Sequence, residues 1–127
     1  MAKSKKPKIL MMEDNIFLRK LYREKLTRAG FDFVEATNGV EGMNKVNAES
    51  PDLVILDLIL PRKNGFDVLA EMKSNPKTRK IPVIILSNLG QDLDIKEGLS
   101  LGAKEYLVKT EVRLADVVNK VKKWSSK

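Results

Sequence analysis

At 127 residues, 43% of them apolar and 32% charged, the chain suits one compact domain and is far from the composition of a disordered one. It contains neither cysteine nor histidine, which excludes a disulfide framework, a thiolate site and the usual zinc ligands, so any metal must be held by oxygen. The net charge of +7 is carried by the two ends, Lys3, Lys5, Lys6 and Lys8 at the start and Lys120, Lys122, Lys123 and Lys127 at the finish, which leaves the body between them nearly neutral.

Residues 1–7 and 125–127 read as tails of a single domain. No aromatic residue is interleaved with the N-terminal lysines to stack on bases, so nucleic acid is an unexpected partner. No apolar run has the length of a signal-peptide core or a membrane span, and the expected location is the cytoplasm, without membrane insertion.

Short apolar runs alternate with stretches of helical period five times over. Strands are expected at 8–12, 31–35, 53–56, 83–86 and 106–108. Leu53-Val54-Ile55-Leu56 and Val83-Ile84-Ile85-Leu86 lack the alternation of a half-exposed strand, as befits central strands covered on both faces. Between them, Leu18, Leu21, Tyr22 and Ala29 fall at helical spacing. So do Val40 and Met43, then Phe66, Leu69 and Met72, and finally Leu114, Val117, Val118, Val121 and Trp124. Gly30 closes the first helix, Asn38-Gly39 opens the second and Ser50-Pro51 ends it. Ser74-Asn75-Pro76 stops the third helix, Pro82 stands at the edge of the fourth strand, and Gly98 weakens the fourth helix. The whole reads as one doubly wound domain of five βα units.

In such a sheet ligands bind outside the carboxyl ends of the strands. Here those ends carry Glu13-Asp14, Asp57, Ser87 and Lys109. If the first and third strands are neighbours, Glu13, Asp14 and Asp57 converge. At about 5 Å and an effective dielectric near 20, each ionised pair repels by roughly 3 kcal/mol, or about 10 kcal/mol for three pairs, comparable with the stability of a whole domain. A cation or a proton must relieve that. Hard oxygen ligands on a shallow loop site, with room for water and a phosphate oxygen, suit Mg²⁺ better than Ca²⁺.

The segments Ile9-Leu10-Met11-Met12-Glu13-Asp14-Asn15, residues 52–61 with Asn64-Gly65, Ile84-Ile85-Leu86-Ser87 and residues 102–109 resemble the receiver domain of bacterial two-component response regulators, the CheY-like family. The resemblance covers nearly the whole chain. It implies a three-layer, doubly wound (βα)5 flavodoxin-like α/β fold with a parallel sheet of order 2-1-3-4-5. It also implies that Asp57 accepts a phosphoryl group from a histidine kinase or phosphotransfer protein. Asp14, Glu13, Asp57 and the backbone carbonyl of Ile59 would hold Mg²⁺, and Lys109, Ser87 and Asn88 would contact the phosphoryl group. Ser87 and Tyr106 would form the switch. Such a protein is no enzyme beyond assisting its own phosphorylation and dephosphorylation.

The chain departs from the family pattern at Thr110, where a proline usually follows the lysine, at Leu60 in place of a methionine, and at Asn88, which is bulkier than the usual small residue. The positions that flank the hydrolytic water in the family are Ile59 and Leu89, both apolar, so a long-lived phosphorylated form is expected. Output would pass to an unidentified downstream protein through the face of the fourth helix, fifth strand and fifth helix, including Asp92, Lys96, Lys104 and Tyr106, with the protein a monomer or weak dimer. A receiver-like interaction domain that works without phosphate stands as the alternative. A phosphatase-like enzyme is disfavoured, because position 59 offers no second carboxylate to act as acid.

Overall fold

The computed structural model describes residues 6–125. Strands β1 (Lys8–Met12), β2 (Asp32–Ala36), β3 (Leu53–Leu56), β4 (Val83–Ser87) and β5 (Glu105–Val108) alternate with helices α1 (Ile16–Arg28), α2 (Gly39–Glu49), α3 (Gly65–Ser74), α4 (Asp92–Ser100) and α5 (Leu114–Ser125). The strands form one parallel sheet in the order β2-β1-β3-β4-β5, as expected.

The unbroken apolar runs are explained by two cores. Leu10, Met12, Val54, Leu56, Val83 and Ile85 face a cluster that includes Met43 and Val46 of α2 and Val68, Leu69 and Met72 of α3. Their neighbours Ile9, Met11, Leu53, Ile55, Ile84 and Leu86 face a second cluster with Tyr22 and Leu26 of α1 and Val117 and Val121 of α5. Successive side chains of a strand point to opposite faces, so a strand buried on both sides has no polar position to spare.

Helix ends follow their caps. The side chains of Asn15, Asn38 and Asn64 accept hydrogen bonds from the first turns of α1, α2 and α3, and Ser50 closes α2 in the left-handed region at φ 49°. Strand β2 lies one residue later than the sequence suggests, because Asp32 to Ala36 pair with Lys8 to Met12 while the Phe31 N–H turns back to the Leu26 carbonyl. Strands β4 and β5 each gain a residue, Ser87 and Glu105. Leu21, Ala29 and Val40 lie outside the core: Tyr22 and Leu26, four residues apart, take the inward stripe of α1, and Leu21 is one step of about 100° away from it.

Two glycines are close-packing positions. A Cβ on Gly98 would stand 2.6 Å from Ile85 Cδ1 and 2.9 Å from Tyr106 Cδ2, so this residue is what lets α4 lie against β4 and β5. A Cβ on Gly65 would meet backbone, 2.6 Å from Leu58 Cα and closer still to the Asp57 carbonyl oxygen. Backbone cannot swing aside as a side-chain end can. Gly65→Ala is therefore expected to lower unfolding free energy by about 1–3 kcal/mol, the usual cost of overpacking. Urea denaturation measures it, and a stability equal to that of the parent protein would contradict this packing account.

Candidate functional site

Strand register brings the polar strand ends to one edge of the sheet. Met12 pairs with Leu56 and the Asp57 N–H donates to the Met12 carbonyl at 3.1 Å, so the residues after β1 and β3 are side by side. Ser87 pairs with Val108, and the Lys109 N–H donates to the Ser87 carbonyl at 2.9 Å, which starts the Lys109 side chain beside the same edge.

Glu13, Asp14 and Asp57 each offer a carboxylate oxygen within 4.8 Å of the others. Glu13 is 1% exposed and Asp57 4%, whereas Asp14 faces solvent. The Lys109 ammonium lies 2.7 Å from Glu13 Oε1 and 2.9 Å from Asp57 Oδ2. The contact with Asp57 is a directed hydrogen bond. The one with Glu13 is an ion pair without good hydrogen-bond alignment, leaving Oε1 as a buried oxygen with no directed donor. Burial pushes the Glu13 carboxyl above the usual carboxylate range, against the pull of Lys109 and the Asn15 N–H, and the Asp57 charge adds to the rise. Burial alone would lower the Lys109 pKa, but its hydrogen bond to Asp57 and its close approach to the Glu13 carboxylate outweigh that and hold it above the ordinary lysine value. Three carboxylates share the pocket with one ammonium that reaches two of them, and the exposed Asp14 keeps it open on one side. This donor set, all hard oxygen with one orphaned buried atom, fits a small divalent cation.

The loops that deliver these groups are pinned. Asp57 Oδ1 accepts from the Ile59 N–H at 3.1 Å, and Glu13 Oε2 from the Asn15 N–H at 3.0 Å. The turn after Pro61 passes through Arg62 at φ 70°, a left-handed conformation unusual for an arginine, before Asn64 caps α3. Thr110 does not keep Lys109 from the pocket. Ile59 is 54% exposed beside Asp57, and Asn88 is exposed beside Ser87.

Sequence reasoning missed Arg19. It is buried, donates from Nη1 to the Glu13 carbonyl oxygen at 2.9 Å and from Nε to Glu35 at 3.1 Å, and Glu35 in turn pairs with Arg23 at 2.6 Å. The β1–α1 turn that carries Glu13 and Asp14 is thus tied to edge strand β2. Its one sequence signal is an arginine four residues after the cap Asn15, indistinguishable from the other basic residues of α1. Tyr22 also lies near, its phenol pushed up to about 12 by burial and by the Glu13 charge.

Ser87 and Tyr106 meet at one residue. The Leu89 N–H donates to Ser87 Oγ at 3.3 Å, and the Tyr106 hydroxyl donates to the Leu89 carbonyl at 2.6 Å. Burial, then the charges of Asp94 and Asp57, push the Tyr106 phenol to about 12. Lys104 directly precedes β5, at the end of that strand away from the carboxylates, with its ammonium 5.3 Å from the Trp124 ring of α5. Lys3, Lys5 and Lys127 lie outside the described residues. Among the described residues no helix is long and apolar enough to cross a membrane.

The profile of the response regulator receiver domain family matches residues 9–122. The chemotaxis protein CheY of Thermotoga maritima is 34% identical over 91% of this chain and 98% of its own length. The probable transcriptional regulator ycf27 of Porphyridium aerugineum is 35% identical over 95% of this chain and 52% of its own, so the chain spans about half the length of that relative. Among solved structures, the phosphorylated cyanobacterial phytochrome response regulator RcpA superposes with a TM-score of 0.81 at 34% identity, covering 95% of both chains.

Removing the ammonium tests the electrostatics. Lys109→Met leaves Glu13 and Asp57 buried without their counter-charge and is expected to cost about 3 kcal/mol near neutral pH. Glu13 already titrates above its usual range, and losing Lys109 raises it further. A carboxyl whose folded pKa exceeds its unfolded one binds its proton first in the folded state, so stability is gained as pH falls through the folded value. The deficit of Lys109→Met should therefore be largest near pH 7 and shrink towards about pH 5 in urea denaturation. A deficit that grows on acidification would contradict the assignment.

Proposed function

The chain belongs to the response regulator receiver domain family, the signalling domain of two-component systems, and from that membership we propose that it is a phosphoacceptor whose nucleophile is Asp57. Receiver domains are signalling modules rather than classical enzymes. The observation that carries the proposal is the convergence of Glu13, Asp14 and Asp57 on one pocket, with the Lys109 ammonium bridging Glu13 and Asp57.

In this reading an Asp57 carboxylate oxygen attacks the phosphorus of a phosphohistidine on a histidine kinase or phosphotransfer protein. The bond from phosphorus to the imidazole nitrogen breaks, and its electron pair stays on the imidazole. Charge spread over the three equatorial oxygens is met by groups already in place, so the work is positioning and electrostatics. Lys109 turns its ammonium from the Asp57 carboxylate to a phosphoryl oxygen. Asp14 and Glu13, with Asp57 and the Ile59 carbonyl, would hold Mg²⁺, which when bound neutralises phosphoryl charge. Domain boundaries fit residues 1–127 as one receiver unit, acting alone or within a longer regulator.

The response would run through Leu89. Its N–H rests on Ser87 Oγ and its carbonyl on the Tyr106 hydroxyl. Turning the Ser87 hydroxyl and Asn88 towards a phosphoryl oxygen withdraws one anchor of this peptide and shifts the other, which couples the site to Tyr106. Helix α4 is suited to respond: Gly98 is its single buried residue, its N-cap Gln91 makes no side-chain capping bond, and Leu93 is 78% exposed. A downstream protein would read this helix and Tyr106.

Incubation with Mg²⁺ and acetyl phosphate should add one phosphoryl group by mass, and beryllofluoride should change the spectra; Asp57→Asn should do neither. Modification that persists in Asp57→Asn, or none in the parent protein, would leave the phosphate-independent interaction domain as the better reading. Because Ile59 and Leu89 cannot orient a water, the phosphorylated form is expected to decay slowly. Ile59→Asn and Leu89→Glu should each shorten its lifetime, and equal or slower loss in the variants would sink that explanation.

A further inference from the structure

The excess of positive charge has an address. Strand β1 starts at Lys8 and α5 ends at Ser125, both at the edge of the sheet opposite the carboxylates. Asp52, just before β3, accepts from the Lys8 N–H at 2.7 Å and lines a depression of about 230 Å³ together with Ile81, Pro82, Lys80 and Trp124. Two ammonium groups stand over the Trp124 ring, Lys123 at 5.0 Å and Lys104 at 5.3 Å from its centroid.

The acids around this depression are already committed. Glu105 accepts from Trp124 Nε1 at 2.8 Å and pairs with Lys120 at 3.4 Å, Glu49 holds the Lys8 ammonium at 2.9 Å, and Asp52 serves the Lys8 backbone. Lys80, Lys104 and Lys123 have no acidic partner among the described residues. The ammonium of Lys73, on α3 beside them, is lowered by burial and then by the Lys104 charge, a sign that positive potential here is uncompensated.

We propose that this pole docks an acidic segment of a partner protein, one apolar side chain entering the depression at Trp124 while carboxylates meet Lys80, Lys104 and Lys123. Charge complementarity selects the sign of the partner. The apolar walls of Ile81, Pro82 and Trp124 select a polypeptide, since a phosphodiester backbone has no side chain to insert. Trp124 also packs against the core beneath α5 and carries two ammonium groups, so it is no free platform for a base. A lipid surface calls for several apolar groups that project together, whereas Phe17, Ile59 and Leu93 belong to the opposite edge and Leu99, near the end of α4, is a single projecting side chain towards this one. The proposal does not rest on Asp57 being a phosphoacceptor.

Trp124 is the one tryptophan and reports directly. The whole protein is titrated with a short glutamate-rich peptide carrying a central leucine, with its glutamine counterpart, with oligothymidylate and with phosphatidylserine vesicles. The glutamate peptide is expected to shift Trp124 emission and to weaken as salt rises, and the glutamine peptide to give no shift. The double variant Lys104→Ala/Lys123→Ala should bind it roughly tenfold more weakly, two rim charges being worth about one decade. Lys80→Glu, which leaves both ammonium groups over the Trp124 ring in place, should weaken it too. No binding of the glutamate peptide, equal binding by both variants, or tighter binding of oligothymidylate or vesicles would overturn the proposal.

Discussion

The Lys109 ammonium, 2.7 Å from Glu13 and 2.9 Å from Asp57, is the contact on which the carboxyl edge of the sheet depends. Two buried carboxylates side by side repel by about 3 kcal/mol even at an effective dielectric near 20, and each has also given up its water. A single ammonium bridging both reverses the sign of the local interaction. It does not finish the task, since Glu13 still titrates high and its Oε1 lacks a directed donor. In the reading proposed above, a cation and a phosphoryl group that takes over Lys109 would complete the pocket.

Everything that fixes this contact is rigid except the part that would answer to it. Glu13 is held by the Asn15 N–H and through its carbonyl by Arg19, and Asp57 by the Ile59 N–H on a loop that Gly65 lets α3 approach. Helix α4, by contrast, buries one glycine and is linked to the site through the Leu89 peptide. Stability is spent at one edge of the sheet and withheld at its neighbour, which is where a transmitted movement can occur. The opposite pole is a separate surface, basic where the site is acidic.

Much of this was legible in the sequence. The runs 53–56 and 83–86 announced central strands, since only burial on both faces dispenses with polar positions, and the acids stood out because they closed apolar strands. What escaped depended on partners distant in the chain. Gly98 read as a helix weakener, and only its approach to Ile85 and Tyr106 shows it to be a packing site. Arg19 carries no signal of its own in the sequence, and only the bond from its guanidinium to the Glu13 carbonyl marks it out. Leu21, Ala29 and Val40 fit a helical period yet face outward, because apolar spacing alone does not fix the phase of the buried stripe.

The central claim, that a divalent cation relieves a carboxylate cluster which Lys109 only partly neutralises, is tested most directly by unfolding free energy as a function of Mg²⁺ concentration. Binding to the folded state alone should raise it, by about 1.4 kcal/mol at ten times the dissociation constant, and the rise should be lost in Asp14→Asn, whose carboxylate is exposed and whose removal disturbs no packing. A stability indifferent to Mg²⁺, or an equal rise in the variant, would contradict the account.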